Sequence, residues 1–129
     1  MSILSEKSIE LFMSGKNCAQ AVILVFCEKY GIDTATAVAF SSGFGSGMGC
    51  GEICGAVSGA ISVIGMASAK SCDDEMSAKK ETAIKRKEFL TAFKSKYGEL
   101  SCIKLNQGAR KTCAELVGFA VEVLEEMGY

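Results

Sequence analysis

Four of the seven cysteines in this chain fall where a helix is expected to begin. Cys18 follows Asn17, an N-cap residue type, and Gln20 is placed to complete a capping-box pair. Cys113 follows Thr112 and precedes Glu115, the spacing of a second capping box. Cys102 follows Ser101, another N-cap type. Cys54 lies at the end of a glycine-rich stretch that opens an apolar helix. Helix N-termini present free N–H donors and a partial positive charge. Sulfurs there are expected to lean toward thiolate, the form that attacks disulfides and binds metals. One such cysteine would mean little; four in one small domain point to a thiolate site.

The spacing limits the chemistry. Cys18, Cys54, Cys102 and Cys113 are separated by 36, 48 and 11 residues. Zinc ribbons and ferredoxins bring close pairs such as C-x-x-C, and none occurs among these four. A site can therefore be assembled only by the tertiary fold. Four thiolates suit a [2Fe–2S] or [4Fe–4S] cluster or Cys₄ zinc. Two thiols in reach of each other suit disulfide exchange, with Cys54 as nucleophile and Cys102 or Cys113 as resolving thiol. The residues alone do not choose between these.

Around Cys54 the pattern is densest. Gly55 and Gly59 are four apart and share a helix face, which lets another backbone, and its cysteine, come close. The preceding run Gly43–Gly51 is neither a G-x-G-x-x-G motif nor a P-loop, since it lacks the G-K-[ST] ending and follows no strand. Its backbone can adopt positive φ and aim several N–H groups at one anion, a cluster or a thiolate as readily as a phosphate. Gly49, Gly51 and Gly55 are the candidate cofactor-binding positions. Cys27 reads as core packing, Cys50 as an auxiliary thiol and Cys72 as incidental. Glu52 suits a helix dipole, and Arg110 and Lys111 could pair with a bound anion.

The elements that must position these residues read as helices separated by glycine. The first spans about Ile3–Met13, with Leu4, Ile9, Leu11, Phe12 and Met13 apolar, and stops at Gly15. The second spans Cys18 to about Tyr30, with a stripe of Cys18, Ala21, Val22, Val25 and Phe26, and ends at Gly31. A third starts at Asp33 or Thr34 and carries Ala37, Val38 and Phe40. A fourth covers about Glu52–Ala69, followed by a polar loop over Lys70–Ser77. The fifth is long, ends near Tyr97 at Gly98, and presents Ile84, Phe89, Leu90 and Phe93. A short turn at Cys102–Leu105 and a break at Asn106–Gly108 precede a last helix from Cys113 to about Met127. No segment alternates as a strand does. The expectation is all-α: one domain over residues 1–129, a compact bundle of five to six helices with a glycine-rich loop before a central small-residue helix.

Composition excludes more than it asserts. The chain has 129 residues, no histidine, no proline and no tryptophan. Without histidine there is no Ser-His or Cys-His catalysis within the chain, no imidazole ligand and no C-x-x-C-H haem attachment. With 14 basic and 15 acidic residues the formal charge is −1, so neither nucleic acid nor membrane is an expected partner. The basic cluster Lys79–Lys87 is interleaved with Glu81 and flanked by Glu88, which reads as a solvated helix face. The uncharged run between Glu52 and Lys70 is glycine- and serine-rich and reads as a buried helix rather than a membrane span. The N-terminus lacks signal-peptide features. An odd number of cysteines with no full pairing points to reduced thiols in the cytoplasm.

These residues resemble the C_GCAxxG_C_C family of redox-active proteins. The likeness is carried by Asn17-Cys18-Ala19-Gln20-Ala21-Val22, the Gly43–Gly51 run, Glu52 to Ala60, Cys102, and Cys113-Ala-Glu-Leu-Val117. It implies a small helical protein whose redox role is inferred from four characteristic cysteines, which map onto Cys18, Cys54, Cys102 and Cys113. Some relatives join such a domain to haem-binding segments; with no histidine here, no haem role is carried over. The resulting expectation is a redox protein with an iron–sulfur cluster at these four cysteines, serving electron transfer or redox sensing with a redox partner protein. The alternatives are metal-free thiol–disulfide chemistry, and structural zinc or a plain helical interaction module. A homodimer is compatible with the small-residue helix.

Overall fold

The computed structural model describes residues 1–106 and 109–129. Seven α-helices follow one another: α1 (Ile3–Met13), α2 (Cys18–Leu24), α3 (Thr34–Ser41), α4 (Gly55–Ser71), α5 (Glu75–Tyr97), α6 (Cys102–Asn106) and α7 (Arg110–Glu126). A 3₁₀ turn, Cys27–Tyr30, lies between α2 and α3, and a π turn, Gly47–Gly51, lies between α3 and α4. Among the described residues there is no strand beyond one isolated antiparallel bridge, Ile53 with Ser101. The fold is all-α.

Side-chain caps set several boundaries. The Asn17 side chain accepts from the Gln20 N–H at 2.8 Å, and the Gln20 side chain returns a bond to the Asn17 N–H, so α2 begins at Cys18. Asp33 and Asp74 cap α3 and α5 through the N–H groups of Thr36 and Ser77. Gly31 and Gly98 end the 3₁₀ turn and α5 in the left-handed conformation, at φ 85° and 72°.

Helix α4 packs on α2 and α5, and α7 packs on α1, α2 and α4. Val22, Ile23 and Phe26 meet Val57, Val63 and Ile64, Phe89 and Phe93, and Leu116, Val117, Val121 and Leu124 in one core. One contact requires glycine. A Cβ on Gly59 would lie 2.8 Å from the Ala19 carbonyl oxygen, whereas one on Gly118 would meet only the tip of the Ile9 side chain, at 2.8 Å. Gly59 thus fixes the close approach of α2 to α4.

Several expectations need correction. The second helix does not run through to Tyr30: it ends at Leu24 and resumes as a 3₁₀ turn, with Cys27 fully buried in the core. The fourth helix starts at Gly55, because Glu52–Cys54 is drawn out by the bridge to Ser101. It also runs on to Ser71, into the expected loop. The last helix starts at Arg110, so Cys113 sits a turn inside it; Ala109 precedes it with no side-chain cap, and Thr112 and Glu115 form no capping box. The break expected at Asn106–Gly108 falls partly on residues 107–108, outside the described residues. On the long helix Ile84 is exposed, so its core face is Phe89 and Phe93. In α1 the buried positions are Ser5, Ser8 and Phe12, while Met13 is exposed. The two serines can be buried because each hydroxyl donates to a carbonyl one turn back.

Candidate functional site

Three local devices bring Cys18, Cys54 and Cys102 together. The first is the bridge. The Cys54 N–H donates to the Leu100 carbonyl at 2.8 Å and the Cys102 N–H donates to the Glu52 carbonyl, tying the two cysteine segments side by side. The second is Gly55, where a Cβ would come within 2.8 Å of Cys18 Cβ. With no side chain there, the start of α2 rests directly on the start of α4. The third is Gly47, at φ 60°, where a Cβ would lie 2.9 Å from Cys102 Cβ. Positive φ at Ser46, Gly47, Met48, Gly49 and Gly51 curls the glycine run into the π turn that makes this contact.

Helix α7 supplies the fourth sulfur. Cys113 joins Cys18 on the wall of one cavity, and Cys18 lies in electrostatic reach of Cys113, Cys54 and Cys102. Cys54 in turn senses Cys102 and Cys113, and Cys102 senses Cys113. Every pair among the four is thus coupled. Cys18, Cys102 and Cys113 line a cavity of about 380 Å³ with Phe12, Lys16 and Arg110. Cys54 does not line it and is buried, 3% exposed.

The electrostatics reverse the expected thiolate bias. Burial, and then the neighbouring sulfurs led by Cys113, push the Cys18 thiol up to about 12. Burial pushes Cys54 up to about 11, even though the Ala56 and Val57 N–H groups at the start of α4 favour its thiolate. Cys102 is raised by burial and by Cys113, against a bond from Asn106. Helix-end donors are present, but desolvation outweighs them.

The other candidates sit as follows. Gly49 faces open space, Gly51 packs against Ile103, and neither lines the cavity; Gly45 and Ser46 do. Cys50 is exposed on the π turn with its thiol on the Gly47 carbonyl, Cys27 is in the core, and Cys72 caps the end of α4. Glu52 contributes backbone, through its bond from Cys102. All seven cysteines are free thiols. Among the described residues no group of three or more His, Cys, Asp or Glu side chains is placed so that it could hold a metal ion.

Sequence reasoning missed the role of Asn106 and the tertiary contacts of Arg110 and Asn17. The Asn106 Nδ2 donates to Cys102 Sγ at 3.1 Å. Asn106 is four residues after Cys102 on one helix, a spacing that places the two on one face and could have flagged it. Arg110 stacks on the Phe12 ring at 4.2 Å and donates to the Phe12 carbonyl at 2.7 Å, locking α7 to the end of α1 at the cavity wall. The Asn17 Nδ2 donates to the Ser41 and Ser42 carbonyls, anchoring the Cys18 end of α2 to α3. These last contacts span 24 to 98 residues and leave no local signal.

No helix among the described residues is long and apolar enough to cross a membrane. Neither a curated protein nor a solved structure matches the chain. A family does: residues 16–127, which include all four coupled cysteines and the glycine turn, match the family described as putative redox-active protein (C_GCAxxG_C_C). The chain belongs to the C_GCAxxG_C_C family.

Proposed function

We propose that this is an electron-transfer protein in which Cys18, Cys54, Cys102 and Cys113 hold an iron–sulfur cluster, of the [2Fe–2S] type. The observation that carries this reading is the convergence of four separate segments: Cys18, Cys102 and Cys113 line one cavity, and buried Cys54 lies on a segment hydrogen-bonded to that of Cys102. The donor set fits the group: four soft sulfurs, with no imidazole or carboxylate among them. Burial, and after it repulsion from the neighbouring sulfurs, holds the protons of Cys18, Cys54 and Cys102 firmly. A cationic iron centre between them would turn that repulsion into attraction. When bound, such a cluster supplies a centre that gains and loses single electrons. The chain's own residues do the rest. The Asn106 N–H donates to Cys102 sulfur, and the Ala56 and Val57 N–H groups favour charge on Cys54. Burial of Cys54 keeps water from that sulfur.

The test is a panel of single serine variants purified without oxygen. Replacing Cys18, Cys54, Cys102 or Cys113 should each remove iron and sulfide, while Cys72→Ser should retain both. Stoichiometric iron in Cys54→Ser would sink the cluster reading, and zinc in place of iron would move it to a structural site.

One observation favours a second reading, a metal-free dithiol. The Cys18 and Cys113 thiols line the same cavity and lie in electrostatic reach of each other. Oxidation would join their sulfurs and release two electrons and two protons to an acceptor disulfide. The raised Cys18 thiol makes this attack slow near neutral pH. A reversible Cys18–Cys113 disulfide in iron-free protein, found by peptide mapping, would favour this reading.

A further inference from the structure

Helix α5 carries seven basic and three acidic side chains, whereas the rest of the chain carries seven basic and twelve acidic. The charge is also sorted around the helix. At 3.6 residues per turn, Lys79, Arg86, Lys87 and Lys94 fall within a stripe about 100° wide that also holds Ala83 and Leu90. Glu81 and Glu88 lie on the far side. There burial, Glu81, Tyr30 and Glu88 together raise the Tyr129 phenol, and Glu88 pairs with Lys85 at 3.5 Å. The four stripe cations are exposed and form no salt bridge among the described residues.

Arg86, Lys87 and Lys94 rim a groove of about 450 Å³ whose floor includes Leu90, Thr91 and Leu100. Leu100 is also the residue whose carbonyl accepts the Cys54 N–H at 2.8 Å. The groove therefore reaches within one hydrogen bond of a cysteine of the site. The acid at this end, Glu99, is engaged: its carboxylate accepts the Leu100 and Ser101 N–H groups at 2.9 and 3.0 Å and pairs with Lys104.

We propose that this groove is the docking surface for an acidic protein electron carrier, which exchanges electrons with the cysteine site across Leu100 and Cys54. The proposal rests on the redox reading above. Charge complementarity identifies the occupant. A basic stripe without salt bridges on an otherwise acidic chain draws an anionic partner and repels a basic one. The leucine floor suits a protein surface, which brings apolar side chains as well as carboxylates. Only electrons pass: each one lost by the carrier is gained at the cysteine site.

Flavodoxin, an acidic one-electron carrier, serves as the probe for the full-length protein in calorimetric titration. Binding at 20 mM NaCl should weaken at least tenfold at 300 mM. The reversal variant R86E/K87E/K94E should lose at least tenfold at 20 mM, with an unchanged circular dichroism spectrum because its side chains are exposed. No binding, salt-insensitive binding, or equal binding by the variant would overturn the proposal. So would tighter binding to duplex DNA or phosphatidylglycerol vesicles, or a homodimer that the reversal dissolves. Reduced methyl viologen separates the two layers. If viologen reduces the protein but flavodoxin neither binds nor reduces it, the docking proposal fails and the redox reading stands. If flavodoxin binds with the expected salt dependence and neither reagent delivers an electron, the redox reading fails and electron delivery falls with it.

Discussion

Cys18 is held by opposing forces that a pH titration can separate. It sits at the first residue of α2, where N–H groups favour a negative sulfur, yet burial and three neighbouring sulfurs hold its proton up to about 12. Cys54 is pushed up to about 11 in the same way. For reduced, metal-free protein the sign follows from linkage. Between the ordinary thiol value of 9 and these raised values, the folded state binds more protons than the unfolded one. Stability is therefore full below pH 9 and falls as pH climbs through 9 toward 11–12. Denaturant midpoints measured at pH 8 and pH 10.5 should show this loss, and Cys18→Ala should reduce it. An unchanged midpoint would mean that the sulfurs are neither buried nor coupled as described. This part of the site was illegible in the sequence. Asn17 and Gln20 announced the helix start, but burial is a property of what packs on top, and Gly55, α6 and α7 arrive from far along the chain.

Elements were read best where one residue acts on its own backbone. Asn17, Asp33, Gly31 and Gly98 each mark a boundary that the structure keeps. Failure came where long-range contacts compete with local signals. Thr112 and Glu115 have capping-box spacing, but α7 reaches back to Arg110, whose guanidinium is locked onto Phe12. Glu52 looks like a first-turn acid, but the bridge to Ser101 extends its segment. The glycine pattern of α4 supports a sharper prediction. Gly59 lies against the Ala19 backbone, so Gly59→Val should cost about 1–3 kcal/mol by overpacking. It should also push α2, with Cys18, away from Cys54. Gly65 has nothing near its missing Cβ, so Gly65→Ala should add about 0.5–1 kcal/mol through helix propensity. Chemical denaturation of the two variants checks both signs, and similar effects from the two would contradict the packing described.

The whole molecule is arranged so that no short stretch of chain contains its site. Segments from the start of α2, the start of α4, α6 and α7 each deliver one sulfur, which is why the linear spacing resembles no metal motif. All-α character was legible because helix punctuation is local. The coupling of the four cysteines, the cavity lined by Phe12, Lys16 and Arg110, and the basic groove leading to Leu100 became visible only in three dimensions. The central claim is that these sulfurs form one iron-holding centre. Its most direct test is the iron, acid-labile sulfide, zinc and visible spectrum of wild-type protein purified without oxygen. The account predicts iron and sulfide in equal amounts, about two of each per cluster, with visible absorption that bleaches on reduction. Protein that carries neither iron nor sulfide, and gains none on mild reconstitution, would contradict it.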